Sequence, residues 1–136
     1  MTHHLLETNG ELHACGNNNY NVFGNSSLSN SAVVVNTGIS DVKATSVDYY
    51  HSFFLKNDGT LEACGRNYNG MFGTGDSNGL DDPTVVKTGV SYISSDYYYS
   101  IVVTTDGKLH SAGYNYFGEM CWSELDGVSY SYIRVR

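Results

Sequence analysis

The feature that most constrains this chain is a motif that occurs three times. Residues 2–24 read THHLLETNGELHACGNNNYNVFG, residues 51–73 read HSFFLKNDGTLEACGRNYNGMFG, and residues 99–121 read YSIVVTTDGKLHSAGYNYFGEMC. Gly10, Gly59 and Gly107 align, as do Gly16, Gly65 and Gly113, with Leu12, Leu61 and Leu109 between them and Asn18, Asn67 and Asn115 after them. A period near fifty residues implies a propeller, solenoid or array rather than a single folded core. The 136 residues divide into repeats at roughly 2–50, 51–98 and 99–136 of one repeat domain.

Each copy opens on a strand-like run (HHLLE, SFFLKN, SIVVTT) and reaches Asn9-Gly10, Asp58-Gly59 or Asp106-Gly107. Such dipeptides between apolar runs predict hairpins, in the first instance with type I′ turns. The following segments ELHACG, TLEACG and KLHSAG alternate with period two, as half-buried strands do. A Gly/Asn loop comes next, with Phe23, Phe72 and Met120 as its one apolar position, expected to plug the loop onto the core. Further strands are predicted at 33–38 and 84–89, at 39–48 and 90–96, and in VSYSYIRVR at the end. No window carries helical periodicity. The fold class is therefore all-β. About four antiparallel strands per repeat, repeated radially, are propeller blades.

These residues resemble the regulator-of-chromosome-condensation repeat family of β-propellers. That family's pattern runs from His-Ser through an Asp-Gly turn to Gly-x-Asn-x-x-Gly-Gln-Leu-Gly. His51-Ser52, Asp58-Gly59, Gly65-Arg66-Asn67, Gly70 and Gly73 follow it. The first copy has Asn21 at the inner glycine, and the third ends on Cys121. Val22, Met71 and Glu119 replace the family's Gln, and Phe23, Phe72 and Met120 its Leu. The resemblance implies the propeller fold. It does not select among the exchange factors, enzyme inhibitors, lectins and scaffolds that share it.

Composition narrows the function. Seven Lys and Arg stand against 14 Asp and Glu, a net charge of −7, which is the wrong footprint for nucleic acid. No apolar run is long enough for a helical membrane span, and no signal peptide is visible at the N-terminus. Cys15, Cys64 and Cys121 lack metal-ligand spacing. Cys15 and Cys64 share a repeat position with Ala112, which reads as a small core site, with a disulfide as the alternative. Asp76, Asp81 and Asp82 do not have EF-hand spacing and read as a solvated loop. His13 and His110 share a repeat position expected to face solvent or a blade seam, and no nucleophile motif accompanies any His. The expectation is a non-enzymatic protein without cofactor or metal.

Two surfaces stand out. Tyr49, Tyr50, Tyr97, Tyr98 and Tyr99 recur just before the motif strand and form a candidate interaction rim for a protein or glycan. Three blades do not close a ring, so the end strands, His3, His4, Leu5 and Leu6 with Tyr130, Tyr132, Ile133 and Val135, are candidate assembly strands. In that reading SYIRVR completes the N-terminal blade of a second copy, head to tail. The product is a six-bladed dimer, a nine-bladed trimer or a filament. The competing reading is that the chain is one piece of a longer propeller.

Overall fold

The computed structural model describes residues 1–119 and 127–135. The Met120 plug, Cys121 and the CWSELD segment at 121–126 lie outside the described residues. Eleven strands are described: β1 (Thr2–Leu6), β2 (Leu12–Gly16), β3 (Ser31–Asn36), β4 (Val42–Val47), β5 (His51–Lys56), β6 (Leu61–Gly65), β7 (Leu80–Lys87), β8 (Val90–Ser95), β9 (Tyr99–Thr104), β10 (Leu109–Tyr114) and β11 (Val128–Arg134). They form antiparallel sheets ordered β1-β2-β3, β4-β5-β6-β7 and β11-β10-β9-β8. Each sheet is one blade.

The repeat and the blade are out of phase. Residues 39–48, which close the first sequence repeat, supply β4, the first strand of the second blade. β8 plays the same part in the third. The two strands lie side by side, with Ser46 Oγ 2.6 Å from Ser95 Oγ. Among the described residues the first blade has no counterpart of β4 or β8.

This corrects the expected role of the C-terminal strand. β11 pairs with β10, with Ser111 opposite Ile133, so it stands where β3 and β7 stand in the other blades. It is not the equivalent of the strand that leads into HSFFL. Its residues are also committed within the chain. Tyr130 and Tyr132 pack on Gly70 and Gly73 of the second blade, where an added Cβ would lie 2.4 and 2.2 Å from their rings. The Gly75 N–H donates to the Tyr130 carbonyl at 2.7 Å, and the Val135 N–H to the Leu109 carbonyl at 2.8 Å.

The hairpin turns also differ from expectation. Asn9, Asp58 and Asp106 do not have positive φ, whereas Gly10, Gly59 and Gly107 do, at 88°, 86° and 80°. Type I′ needs both central residues there, so these are three-residue loops: a type I turn and then a left-handed bulge residue. The Gly59 N–H donates to the Lys56 carbonyl at 3.0 Å, and the Asp58 carboxylate accepts from the Thr60 N–H at 2.9 Å. Asn or Asp is thus selected for its side-chain oxygen and Gly for its backbone.

Packing lies between blades. Phe53, Leu55, Leu61, Ala63, Met71 and Phe72 meet Val90, Ile93 and Val102 of the third blade. On the other face of the second blade Val42, Phe54 and Cys64 meet Leu12 of the first blade and Ile39 of the connector. Phe23 and Phe72 are fully buried, as the plug reading requires. Polar latches cross the same seams. Ser52 Oγ donates to the Val22 carbonyl at 2.6 Å and Ser100 Oγ to the Met71 carbonyl at 2.5 Å. Tyr132 Oη completes the second latch, 2.9 Å from Ser100 Oγ.

His4, read as an assembly residue, serves the seam between the first two blades. Its ring stacks on Phe54 at 5.5 Å, with Nε2 2.8 Å from the Val22 carbonyl and Nδ1 2.7 Å from Thr45 Oγ1. Burial lowers its pKa from 6.5 to about 4, against the opposing pull of the Val22 carbonyl.

Two outcomes follow. Ser100→Ala strips partners from a buried carbonyl and a buried hydroxyl, so chemical denaturation will show a loss of about 1–3 kcal/mol. Because the folded pKa of His4 lies below its unfolded value, its contribution is complete above pH 6.5 and is lost as pH falls towards 4. His4→Gln is expected to flatten stability curves recorded across that window.

Candidate functional site

The tyrosine rim is built by turns. In Asp48–His51 the Asp48 N–H donates to the His51 carbonyl at 3.0 Å, and Asp48 Oδ1 accepts from the Tyr50 and His51 N–H groups at 2.7 and 3.1 Å. In Asp96–Tyr99 the Asp96 N–H donates to the Tyr99 carbonyl at 3.0 Å, and Asp96 Oδ1 accepts from the Tyr97 N–H at 2.7 Å. Each Asp closes its turn and leaves two tyrosines at the tip.

A recurrent glycine holds each turn in place. Gly16, Gly65 and Gly113 have φ of 104°, 99° and 115°. A Cβ there would lie 2.3, 2.4 and 2.3 Å from the carbonyl oxygens of Met1, Tyr50 and Tyr98. Those same carbonyls accept the next N–H: Asn17 to Met1 at 3.1 Å, Arg66 to Tyr50 at 2.8 Å and Tyr114 to Tyr98 at 2.9 Å. Asn18 and Asn67 then brace the loops beyond, their side-chain oxygens accepting from the Phe23 and Phe72 N–H groups at 2.8 and 2.9 Å.

The result is a continuous aromatic strip along one rim. Tyr20 meets Tyr49 and Tyr50 at 5.7 and 5.1 Å; Tyr50 meets Tyr68 and Tyr97, both at 5.8 Å. Tyr97 meets Tyr98 at 6.1 Å, Tyr98 meets Tyr114 at 5.8 Å, and Tyr114 meets Tyr116 and Phe117 at 4.7 and 6.5 Å. Tyr68, Tyr97, Tyr98 and Tyr116 are about half exposed, and Phe117 is 87% exposed. The Arg66 guanidinium lies over the Tyr20 and Tyr68 rings, 4.3 and 5.0 Å from their centroids.

Four of the five tyrosines singled out in the sequence, Tyr49, Tyr50, Tyr97 and Tyr98, are thus in ring contact along one strip. Tyr99 is half-buried and lines a cleft beside it with Asp96, Tyr97, Tyr98, Tyr114 and Glu119. Tyr20, Tyr68, Tyr114, Tyr116, Phe117 and Arg66 lie in the Gly/Asn loops beyond the sequence reading; Tyr68 aligns with Tyr116 and Tyr20 with Phe117, an aromatic recurrence in two of three copies that could have found those four. The assembly residues are dispersed. His3 lines a second cleft with Tyr49 and Tyr97, and Leu5 and Leu6 are exposed on the first blade.

One pairing has the outline of a catalytic dyad: His51 Nδ1 is 3.2 Å from an Asp48 carboxylate oxygen. Desolvation lowers the His51 pKa, although Asp48 and Asp96 oppose it. The imidazole is fully buried beside Phe53 and Phe72, out of a substrate's reach. Cys64 is likewise buried, its thiol pKa raised by burial, and its Sγ donates to the Asn21 carbonyl at 3.2 Å. Glu7, Glu11 and His13 bring possible metal-ligating atoms together at a hairpin tip, where His13 Nε2 already lies 2.9 Å from Glu7.

Sheets of this order, packed face to face with a rim of turns, define a β-propeller segment. Solved structures similar to the chain are regulator-of-chromosome-condensation-type propellers. Human WBSCR16 superposes with a TM-score of 0.80 at 21% identity, over 99% of this chain and 37% of that one. Yeast RCC1 (Prp20), in its complex with Kap60, gives 0.82 at 23% over 99% and 33%. Prp20p from Saccharomyces cerevisiae, studied for binding to Gsp1p and histones, gives 0.77 at 18% over 99% and 36%. The chain therefore spans about a third of the length of these propellers. No family model matches the sequence, and no curated protein does.

Gly113→Ala is expected to cost about 1–3 kcal/mol from backbone strain alone. It should also displace the Tyr98 turn. Thermal unfolding and the amide shifts of residues 96–99 would show whether stability and turn move together.

Proposed function

We propose that this chain is a non-enzymatic protein-interaction module that binds its partner through the aromatic strip. The observation that carries this reading is the run of touching rings from Tyr20 to Phe117, much of it open to solvent. Tyrosine offers large contact area at a low entropy cost and a hydroxyl for hydrogen bonding. A folded protein gains nothing by exposing so many rings in one line unless something covers them. The similar propellers support an interaction role, since yeast RCC1 binds Kap60 and Prp20p was tested against Gsp1p and histones.

A second reading, head-to-tail association of blades, rests on a different observation. Leu5 of the first blade is 43% exposed, whereas its counterpart Phe54 is fully buried against the preceding blade. Val34 on β3 is 53% exposed, and Ile101, Val103 and Leu109 of the third blade are only half-buried. These faces fit another blade, from a second copy or from the same polypeptide. The association would be face to face, since β11 already has its place in the third blade. A light-scattering mass of one chain would reject self-association.

The strip is tested by amide-shift mapping against a panel of neutral oligosaccharides and acidic and basic peptides. Binding should move residues of the strip, and Tyr49→Ala with Tyr97→Ala should abolish it without loss of β signal. Shifts confined to the opposite rim, around Asn9, Asp58 and Asp106, would reject the reading.

A further inference from the structure

Resting on that reading, we propose that the strip's ligand is cationic: a peptide segment that places an arginine or lysine side chain in the cleft beside Tyr97, Tyr98 and Tyr114. The cleft, about 430 Å³, is lined by Asp96, Tyr97, Tyr98, Tyr99, Tyr114 and Glu119. It continues into a second of about 460 Å³ lined by Asn69, Tyr98, Tyr114, Phe117 and Glu119. Among the described residues no Lys, Arg or His lines either one. An aromatic face carries the negative part of the ring quadrupole and attracts a cation held over it. Two carboxylates at the border add full charges of the same sign.

The carboxylates are in position to act. Asp96 uses Oδ1 to hold the Tyr97 N–H, and Glu119 uses Oε2 to hold the Phe117 N–H at 2.9 Å. The backbone thus fixes one oxygen of each, and each has a second oxygen to offer a ligand. Asp48 lines the neighbouring cleft with Tyr49 and Tyr97, so negative charge follows the tyrosines along the rim.

The chain also shows what this surface accepts. Arg66 lays its guanidinium over Tyr20 and Tyr68, at the other end of the strip. Its Nη1 hydrogen-bonds the Tyr68 hydroxyl. The Tyr98–Tyr114 pair, 5.8 Å apart with planes at 44°, has no such cation among the described residues. A neutral sugar could stack on the same rings. It would leave the carboxylates without a counter-charge, and the net charge of −7 would contribute nothing to its capture. Charge complementarity therefore selects a basic peptide over a glycan.

The test is calorimetric titration of the full chain with acetyl-Gly-Arg-Gly-Arg-Gly-amide and with the same peptide carrying citrulline. Citrulline keeps the shape and removes the charge. The arginine peptide should bind at least about tenfold more tightly than its neutral twin, and added salt should weaken it. The Asp96→Asn, Glu119→Gln double variant keeps both backbone hydrogen bonds and should also bind about tenfold more weakly. Amide shifts should centre on Tyr97, Tyr98 and Tyr114. Equal binding of the citrulline peptide, or a double variant within about twofold of the parent, overturns the cationic assignment while leaving the aromatic surface standing. Failure of the arginine peptide to bind at about millimolar concentration also overturns it. If neither these peptides nor the wider panel shifts the strip, both readings fall together.

Discussion

The architecture depends on a close approach of backbone to backbone. Near the end of the second strand of each motif, in β2, β6 and β10, a glycine lets the chain pass in close contact with the backbone just before the motif's first strand. Gly65 faces the Tyr50 carbonyl and Gly113 the Tyr98 carbonyl at distances no side chain could share. Their positive φ values aim the following N–H at that same carbonyl. One residue type thereby ends a strand, starts a loop and holds a turn. The aromatic surface is a consequence, since the turns so fixed are the ones that carry the paired tyrosines.

Between blades, apolar contact supplies area and a few polar groups set the alignment. Phe53 and Phe72, crossed at 5.5 Å with their planes nearly perpendicular, present their rings to Ile93 and Val102 of the third blade. Such packing is not directional enough to fix how one sheet slides on another. Ser52 and Ser100 are, because each must reach one carbonyl of the neighbouring loop. Where the first blade departs from Phe at the seam, His4 takes over both duties by stacking and hydrogen bonding at once. That substitution ties the seam to proton activity, which the seam between the second and third blades avoids by using Phe53 in its place.

Much of the fold was legible in the sequence, because the signals that define it are local. Asn-Gly or Asp-Gly, alternation, and a Gly-rich loop repeat in register, so strands and hairpins could be placed. The turn type is not legible, because Asn9 and Asp58 act through side-chain oxygens rather than through left-handed backbone, a distinction the dipeptide alone does not carry. The phase of the blades was hidden for a different reason. A repeat has no marked origin in sequence, and only hydrogen bonding shows that β4 joins β5 and not β3. Asn21, by contrast, could be read as standing in for glycine, and its φ of 62° shows it adopting the conformation that position demands. The site was half visible. Tyr49, Tyr50, Tyr97 and Tyr98 recur as adjacent pairs, whereas Tyr68 recurs only as Tyr116 and Tyr20 only as Phe117, single rings within Asn-rich loops, and Arg66 has no like residue in another copy; they meet only in space.

The offset between repeat and blade affects how such a chain can be shortened or lengthened. A unit cut at the sequence repeat, at residue 50 or 98, would carry off the opening strand of the next sheet and leave two damaged blades. Cuts in the connectors at 37–41 or 88–89 would respect the hydrogen-bonded units instead. The overlap acts like a lap joint: each duplicated unit is fastened to its neighbour by a strand it lends. Growth or loss of this array by whole sequence repeats therefore keeps every internal sheet complete only when the lending strand and its borrower are inherited together.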